Sequence, residues 1–348
     1  MNDGILFSVI MPCYNSADYV ERAIQSCIEQ SYTNWELIVV NDGSTDNTVD
    51  IIKSYMQMDD RIQLFSKENG GYVSAVNEGL EHISGEYFLL LGSDDELDPV
   101  LFSELSNRIE DGKNIDLVGF GTLIVDSNGN QKYDYLSKFE NVTKERDISF
   151  KSFTERHPTE SRMFFVRDTS RLFKRDLLGD LRYFGKSGMD ADGVFSMLFA
   201  HKASSFICVP TIGYIWHVRE GSVSRRKHSI DTKIDRIKTW MKYGKVLMEQ
   251  YSAELITQQE KKYLLEQFLF HFDFKVICLS CMDWPFNIVQ ESKLFLTSLI
   301  EWFGCEKSKD LSFFFKHPFI WGMYVSVYNM KKQSKKRLKL IQSGYKKR

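Results

Sequence analysis

Through its first 125 residues the chain alternates short apolar runs with amphipathic stretches. Phe7–Met11 (FSVIM) is an apolar run of strand length, closed by Pro12. In Ser16–Gln30, Val20, Ala23, Ile24, Cys27 and Ile28 recur at the spacing of one helical face. Glu36–Val40 (ELIVV) is a β-branched run, the pattern of a strand buried on both faces of a parallel sheet. Asn41-Asp42-Gly43-Ser44-Thr45-Asp46 clusters turn and cap residues and predicts a helix launched near Asp46. Ile62–Ser66 predicts a third strand and Val73–Ile83 a helix; Glu86–Leu91 predicts a fourth strand, ending in Gly92-Ser93-Asp94-Asp95. Strands alternating with helices imply an α/β fold with a doubly wound, mostly parallel sheet. Ligands of such sheets bind beyond the carboxyl ends of the strands.

Residues 126–160 are polar and poorly periodic, the pattern of a long loop or small insertion. Periodicity returns at Arg162–Leu178. Asp190-Ala191-Asp192 then precedes a helical stretch with Val194, Phe195, Leu198 and Phe199 on one face. A strand-like pair follows at Phe206–Val209 and Ile212–Val218. From about residue 229 the pattern is helical, with amphipathic segments at 231–251 and 257–279. A catalytic domain over 1–228 and a helical C-terminal region over 229–348 are therefore expected. Residues 311–330 are strongly aromatic, and nine Lys and Arg with no acid follow over 331–348. That is the composition of an interfacial anchor facing anionic lipid, or of a helix packed on the catalytic domain with a basic end.

Composition narrows the function classes. An apolar fraction of 43% and a charged fraction of 26% over 348 residues are those of an ordinary folded protein. With 45 Lys+Arg against 47 Asp+Glu, no global field recruits nucleic acid. The 14% aromatic content serves a membrane-adjacent or sugar-binding protein, or a Phe-rich core. The opening MNDGILFSVIMPCYN lacks the pattern of a secretory leader, and no window has the length and apolarity of a spanning helix. Six cysteines are too sparse for a disulfide framework, and the lone Cys278-x-x-Cys281 pair fits two core thiols one helical turn apart. A reduced, cytoplasmic location is expected.

The chemistry concentrates where strands end. Asp42 follows the second strand, and Asp94 and Asp95 the fourth, which places carboxylates from separate strands at one sheet edge. Hard oxygen ligands beside a Gly-Ser turn suit Mg²⁺ or Mn²⁺ shared with a diphosphate. Such a cation stabilises charge on a leaving phosphate. A base for the incoming nucleophile must come from elsewhere in the chain, and Asp190 and Asp192 are the candidates. Either also suits a helix cap.

SVIMPCYNSADYVERAIQSCIEQSYTNWELIVVNDGSTDNT resembles the opening of glycosyltransferase family 2, whose members share the GT-A nucleotide-sugar fold. The resemblance continues through Asn69-Gly70-Gly71-Tyr72-Val73-Ser74-Ala75-Val76-Asn77, LGSDDELDP, GMDADGVFSMLFA and YIWHVREGSVSR, covering about residues 6–225. It implies that Pro12 and Tyr14 line the nucleotide pocket, that Asp42 hydrogen-bonds uracil, and that Asn69 and Gly70 lie beside the nucleotide. Asp94 matches the last carboxylate of the DxD motif and would ligate a Mn²⁺ or Mg²⁺ ion, with Asp95 beside it. Asp192 matches the general base that deprotonates the acceptor hydroxyl. The implied reaction is an in-line displacement that inverts an α-linked donor to a β-linked product.

Two positions depart from the family pattern. The first DxD residue is Gly92, so Ser93 or a main-chain group would take its ribose contact, and the Glu of the Glu-Asp pair is Ala191, with Asp190 the available replacement. His217 is placed either to reach the metal or diphosphate or to serve structurally beside Trp216, and Arg219 to meet phosphate or acceptor. No Gly-rich nucleotidyltransferase loop, no GxGxxG and no Gln-x-x-Arg-Trp motif of processive synthases is present. The resemblance therefore implies a non-processive hexosyltransferase of bacterial O-antigen, capsule or exopolysaccharide assembly. It would use a UDP-sugar such as UDP-glucose or UDP-galactose. A glycan or polyprenyl-diphosphate-linked acceptor would be met at the inner membrane surface, where the enzyme sits peripherally. The alternative is a non-catalytic sugar-nucleotide-binding or scaffold protein of the same assembly.

Overall fold

A computed structural model describes residues 4–110, 115–133, 168–185, 188, 190–219, 229–250, 295 and 298. The chain divides into two units, Met1–Thr239 and Trp240–Arg348. In the first, β1 (Phe7–Cys13), α1 (Val20–Ile28), β2 (Trp35–Asp42), α2 (Thr48–Met56), β3 (Ile62–Lys67), α3 (Tyr72–Leu80) and β4 (Tyr87–Leu90) follow in order. Then come β5 (Glu96–Leu97), α4 (Leu101–Glu110), β6 (Leu117–Val125), β7 (Gln131–Tyr133), β8 (Arg171–Lys174), α5 (Ala191–Lys202) and β9 (Phe206–His217). A last helix, α6, spans Ile230–Gln250.

The strands form one sheet in the order β3-β2-β1-β4-β8-β6-β9-β5, with β7 beside β6. Its first half, β3-β2-β1-β4, is parallel, with Val9 opposite Leu37 and Leu89 in register. All residues of β2 are buried, because a central parallel strand has helices over both faces. Beyond β4 the sheet turns mixed: β8 lies antiparallel to β4 and β6, and β9 lies parallel to β6. The helix α3 approaches β1 through a glycine, since a Cβ on Gly79 would stand 2.4 Å from Ile10 Cγ2.

Several boundaries differ from the sequence expectation for identifiable reasons. β1 runs through Pro12 to Cys13. Ile10 O accepts from Leu91 N, and pairing with β4 stops at Ile10. Pro12 therefore faces a side with no ladder partner, where a missing N–H costs nothing. α1 begins only at Val20, after a turn in which Ser16 O accepts the Tyr19 and Val20 N–H groups and the N–H groups of Ser16 and Ala17 are capped by Thr48 and Asp46. β6 carries no strand expectation, as Gly119 and Gly121 interrupt its apolar pattern, yet its first six residues are buried. The predicted pair at Phe206–Val218 is one strand, irregular in its register with β6 around Gly121. The described part of Arg162–Leu178 is β8 and a single 3₁₀ turn, Arg175–Leu177. Most of 126–160 lies outside the described residues, apart from β7.

In the second unit, Trp240 and Tyr243 meet edge to face at 5.9 Å, and Phe295 packs on Gly244, where a Cβ would stand 2.4 Å from its ring. The predicted helix at 257–279, the Cys278–Cys281 pair and the aromatic and basic tail lie outside the described residues. Among the described residues, no helix is long and apolar enough to cross a membrane.

Candidate active site

The loops after β1 and β2 are laced together by side chains. Asn15, with φ of 48°, donates its N–H to Ser44 Oγ at 3.0 Å, and its Oδ1 accepts the Thr45 N–H at 2.8 Å. Ser16 N–H donates to Thr48 Oγ1 at 2.7 Å, and Ala17 N–H to Asp46 Oδ2 at 3.1 Å. The Asn-Ser and Gly-Ser-Thr-Asp segments thus form one rigid rim. Tyr14, at the tip of β1, is 51% exposed, an open aromatic surface.

Asp42, at the end of β2, is buried and fully engaged. Its Oδ1 accepts from Lys67 Nζ at 3.1 Å and Gly70 N–H at 2.9 Å, and its Oδ2 from Gly71 N–H at 2.7 Å. It thereby fixes the loop that starts α3. Gly43, at φ of 75°, leaves room for that loop, since a Cβ there would stand 2.9 Å from Asn69 N. Asp42, Asn69 and Gly70 are brought together.

At the end of β4 the adjacent carboxylates part. Asp95 turns inward, accepting from Tyr214 OH at 2.6 Å and from His217 N–H at 2.9 Å. Burial, then the neighbouring Asp94 charge, pushes its pKa up to about 7 against those two hydrogen bonds. Asp94 turns outward to Arg219 Nε at 2.5 Å, and that guanidinium lies over the Tyr19 ring at 4.7 Å. Ser93 Oγ meets Ser16 Oγ at 2.8 Å, tying this loop to β1. His217 Nε2 is paired with Glu96. Glycine at 92 matches this packing, because a Cβ there would stand 2.7 Å from Asp95 Oδ2.

A cavity of about 380 Å³ opens at these strand ends, lined among others by Pro12, Gly92, Asp95, Asp192, Tyr214 and Trp216. It joins residues from β1, β4, α5 and β9. Asp192 stands in the first turn of α5, half-buried, with its Oδ1 accepting its neighbour Gly193 N–H at 2.8 Å. Asp190, the N-cap, has φ of 65° and is bound to Arg236 by two contacts of 2.7 and 3.0 Å. Asp192 and not Asp190 lines the cavity.

Three lining or supporting residues had no site role assigned from the sequence: Tyr72, which stands inside the Asn69–Asn77 motif, Asp168 and Tyr183. Asp168 is 1% exposed and accepts hydrogen bonds from Tyr72 OH at 3.2 Å and Tyr183 OH at 2.6 Å. Burial raises its pKa, and the phenols draw it back down. A polar Asp-Thr-Ser stretch before a short strand gives no hint of such burial.

Whether these residues suit a divalent cation turns on their donors. Among the described residues no group of three His, Cys, Asp or Glu is placed to hold a metal. Asp95 is held by Tyr214 and His217 by Glu96, and Asp94, though partly exposed at the mouth of the strand-end loop, is held by Arg219, which a bound cation would have to displace or share. One carboxylate fits a Mg²⁺- or Mn²⁺-type ion only when phosphate oxygens complete the shell.

Comparison with known proteins identifies the family and the fold. The profile described as Glycosyl transferase family 2 matches residues 8–182, about half of the chain. Streptococcus pneumoniae "Glycosyltransferase GlyA" is 31% identical over 231 residues, 63% of this chain and 31% of GlyA. "Glycosyltransferase GlyG" of the same organism is 25% identical over 68% of this chain and 79% of its own length. The chain thus spans about a third of GlyA and about four fifths of GlyG. The crystal structure of S. aureus TarS in complex with UDP-GlcNAc superposes with a TM-score of 0.69 at 20% identity, over 95% of this chain and 92% of that one. The fold is that of the GT-A glycosyltransferases.

Proposed function

Because the chain belongs to glycosyl transferase family 2, we propose that it transfers a hexose from a UDP-sugar to a hydroxyl of a glycan or lipid-linked acceptor in bacterial surface polysaccharide assembly. The observation that carries this reading is the cavity itself, in which Pro12 from β1, Gly92 and Asp95 after β4, and Asp192 from α5 face one space. UDP-GlcNAc in the TarS structure supports the choice of a uridine nucleotide as donor carrier. UDP-glucose and UDP-galactose remain the expected donors.

Each residue then has a task. Tyr14 offers an exposed ring to the base, and Asp42, with the Asn69–Gly71 loop it fixes, shapes the nucleotide end of the cleft. Asp94 would hold Mn²⁺ or Mg²⁺, whose chemistry is to neutralise charge on the departing diphosphate. Asp95, hydrogen-bonded from Tyr214 and His217, keeps the Asp94 loop in place, and Ser16 supports it through Ser93. Asp192 accepts the proton of the acceptor hydroxyl as that oxygen attacks the anomeric carbon opposite UDP, giving a β-linked product. Asp190 cannot share that role while two bonds hold it to Arg236. The aromatic and basic stretch at 311–348 suits peripheral attachment to the inner membrane surface, where a lipid-linked acceptor would be met. UDP release measured against a panel of UDP-sugars, with and without Mn²⁺, tests the reading.

A further inference from the structure

A carboxylate sealed from water costs several kcal/mol unless charge or good hydrogen bonds meet it, so a buried Asp calls for a reason. Asp168 is such a group. Its described side-chain partners are the phenols of Tyr72 and Tyr183, with backbone N–H groups of the Asp168–Thr169 segment beside them, and among the described residues no Lys, Arg or His pairs with it. It nevertheless lines the cavity that holds Asp192 and Trp216.

Its surroundings are fixed from three directions. Tyr72 is 37% exposed while its hydroxyl reaches Asp168, so the ring forms part of the cavity wall. Gly188, at φ of 73°, lies against that ring, where a Cβ would stand 3.0 Å from Tyr72 Cβ. Tyr183 stacks on Phe195 of α5 at 4.1 Å and 12°. Asn77 of α3 clamps the Tyr183 backbone, accepting its N–H at 2.9 Å and donating to its carbonyl at 3.1 Å. The cluster therefore connects α3, which opens from the Asp42 loop, to α5, which carries Asp192.

Such a wall has the chemistry of a pyranose contact. Carboxylates accept hydrogen bonds from ring hydroxyls, and an aromatic ring packs on the apolar face of a sugar. A cavity of about 380 Å³ has the size of a small-molecule site. We propose that Asp168 and Tyr72 read the transferred sugar of the donor: Asp168 is a specificity-determining residue that accepts a hydrogen bond from one ring hydroxyl, and the Tyr72 ring packs against the sugar. The proposal rests on the nucleotide-sugar transferase reading and names which wall of that site chooses the sugar. Tyr183 is a positioning residue, since its hydroxyl holds the same Asp168 oxygen as Tyr72 does.

The test is a deoxy-sugar scan on the full chain. The best of UDP-glucose, UDP-galactose and UDP-GlcNAc is compared with its monodeoxy analogues by kcat/KM, in the wild type, Asp168→Asn and Tyr72→Phe. In the wild type one analogue should lose ~10²-fold, because the missing hydroxyl forfeits a hydrogen bond to a buried, charged carboxylate. In Asp168→Asn that discrimination should collapse to about tenfold or less, with the affinity for UDP alone unchanged. Tyr72→Phe keeps the ring and removes one donor to Asp168, so it should weaken the same discrimination; it decides the matter if Asp168→Asn does not fold. Wild-type rates within about threefold across the analogues, or an Asp168→Asn loss equal for every sugar, would overturn the proposal and leave the cluster structural. A wild type that neither binds nor turns over any of the three donors would instead remove the proposed UDP-hexose donor reading, and this proposal with it.

Discussion

Asp42 Oδ2 accepts the Gly71 N–H at 2.7 Å, and through that bond the end of β2 fixes the start of α3. The same carboxylate takes Gly70 and Lys67 on its other oxygen. Asp42→Ala would leave two backbone N–H groups unpaired and release the loop. Hydrogen bonds to charged groups contribute ~1.5–3 kcal/mol, so UDP affinity should fall by ~10- to 100-fold. Calorimetric titration with UDP, beside a circular dichroism spectrum showing a retained fold, checks this. Unchanged affinity would detach Asp42 from the nucleotide end of the site.

Asp94 contrasts with its neighbour. Asp95 is sealed beneath Tyr214, whereas Asp94 meets a partly exposed Arg219. An exposed ion pair of this kind is worth only ~0–1 kcal/mol, so Asp94→Ala should melt within about a degree or two of the wild type. Its metal-dependent UDP release should nevertheless be lost. Near-normal turnover in that variant would take the cation away from Asp94.

Gly79 is a packing requirement. A methyl group there would stand 2.4 Å from Ile10 Cγ2, between α3 and β1. Overpacking a close contact costs ~1–3 kcal/mol, so Gly79→Ala should lower stability to urea by that amount, partly offset by the helix preference for Ala. A variant as stable as the wild type would mean that α3 stands further from the sheet.

The tail prediction rests on sequence. Nine Lys and Arg without an acid follow the aromatic residues of 311–330, and each basic group near an anionic surface contributes ~1 kcal/mol within a Debye length. Truncation after residue 310 should abolish co-sedimentation with anionic liposomes. It should also slow transfer to a lipid-linked acceptor far more than to a short soluble one. Sedimentation indifferent to truncation and to salt would reject membrane attachment.

What was legible in the sequence follows from the reach of its signals. β-branched runs such as Glu36–Val40 mark strands buried on both faces, so the parallel half was readable to within a few residues. β6 was not, because Gly119 and Gly121 break its apolar run where it curls against β9. The carboxylates at strand ends were visible as local motifs, but their orientation was not: Asp94 and Asp95 are adjacent, and the Tyr214 hydroxyl and the His217 N–H, 119 and 122 residues away from Asp95, hold that one inward. Asp168 was invisible for the same reason, with Tyr72 96 residues before it. Local pattern marks where chemistry concentrates, and distant partners decide which residue faces it.

The account stands most directly on Asp192, which lines the cavity while Asp190 is held by Arg236. The decisive measurement is the rate of acceptor-dependent UDP release by Asp192→Asn at saturating donor, set against its affinity for UDP. A positioned base contributes ~10²–10⁴-fold, so kcat should fall by that factor while UDP binding is retained. Release by Asp192→Asn at the wild-type rate, or a larger loss of kcat in Asp190→Asn with its fold intact, would contradict the assignment of the base.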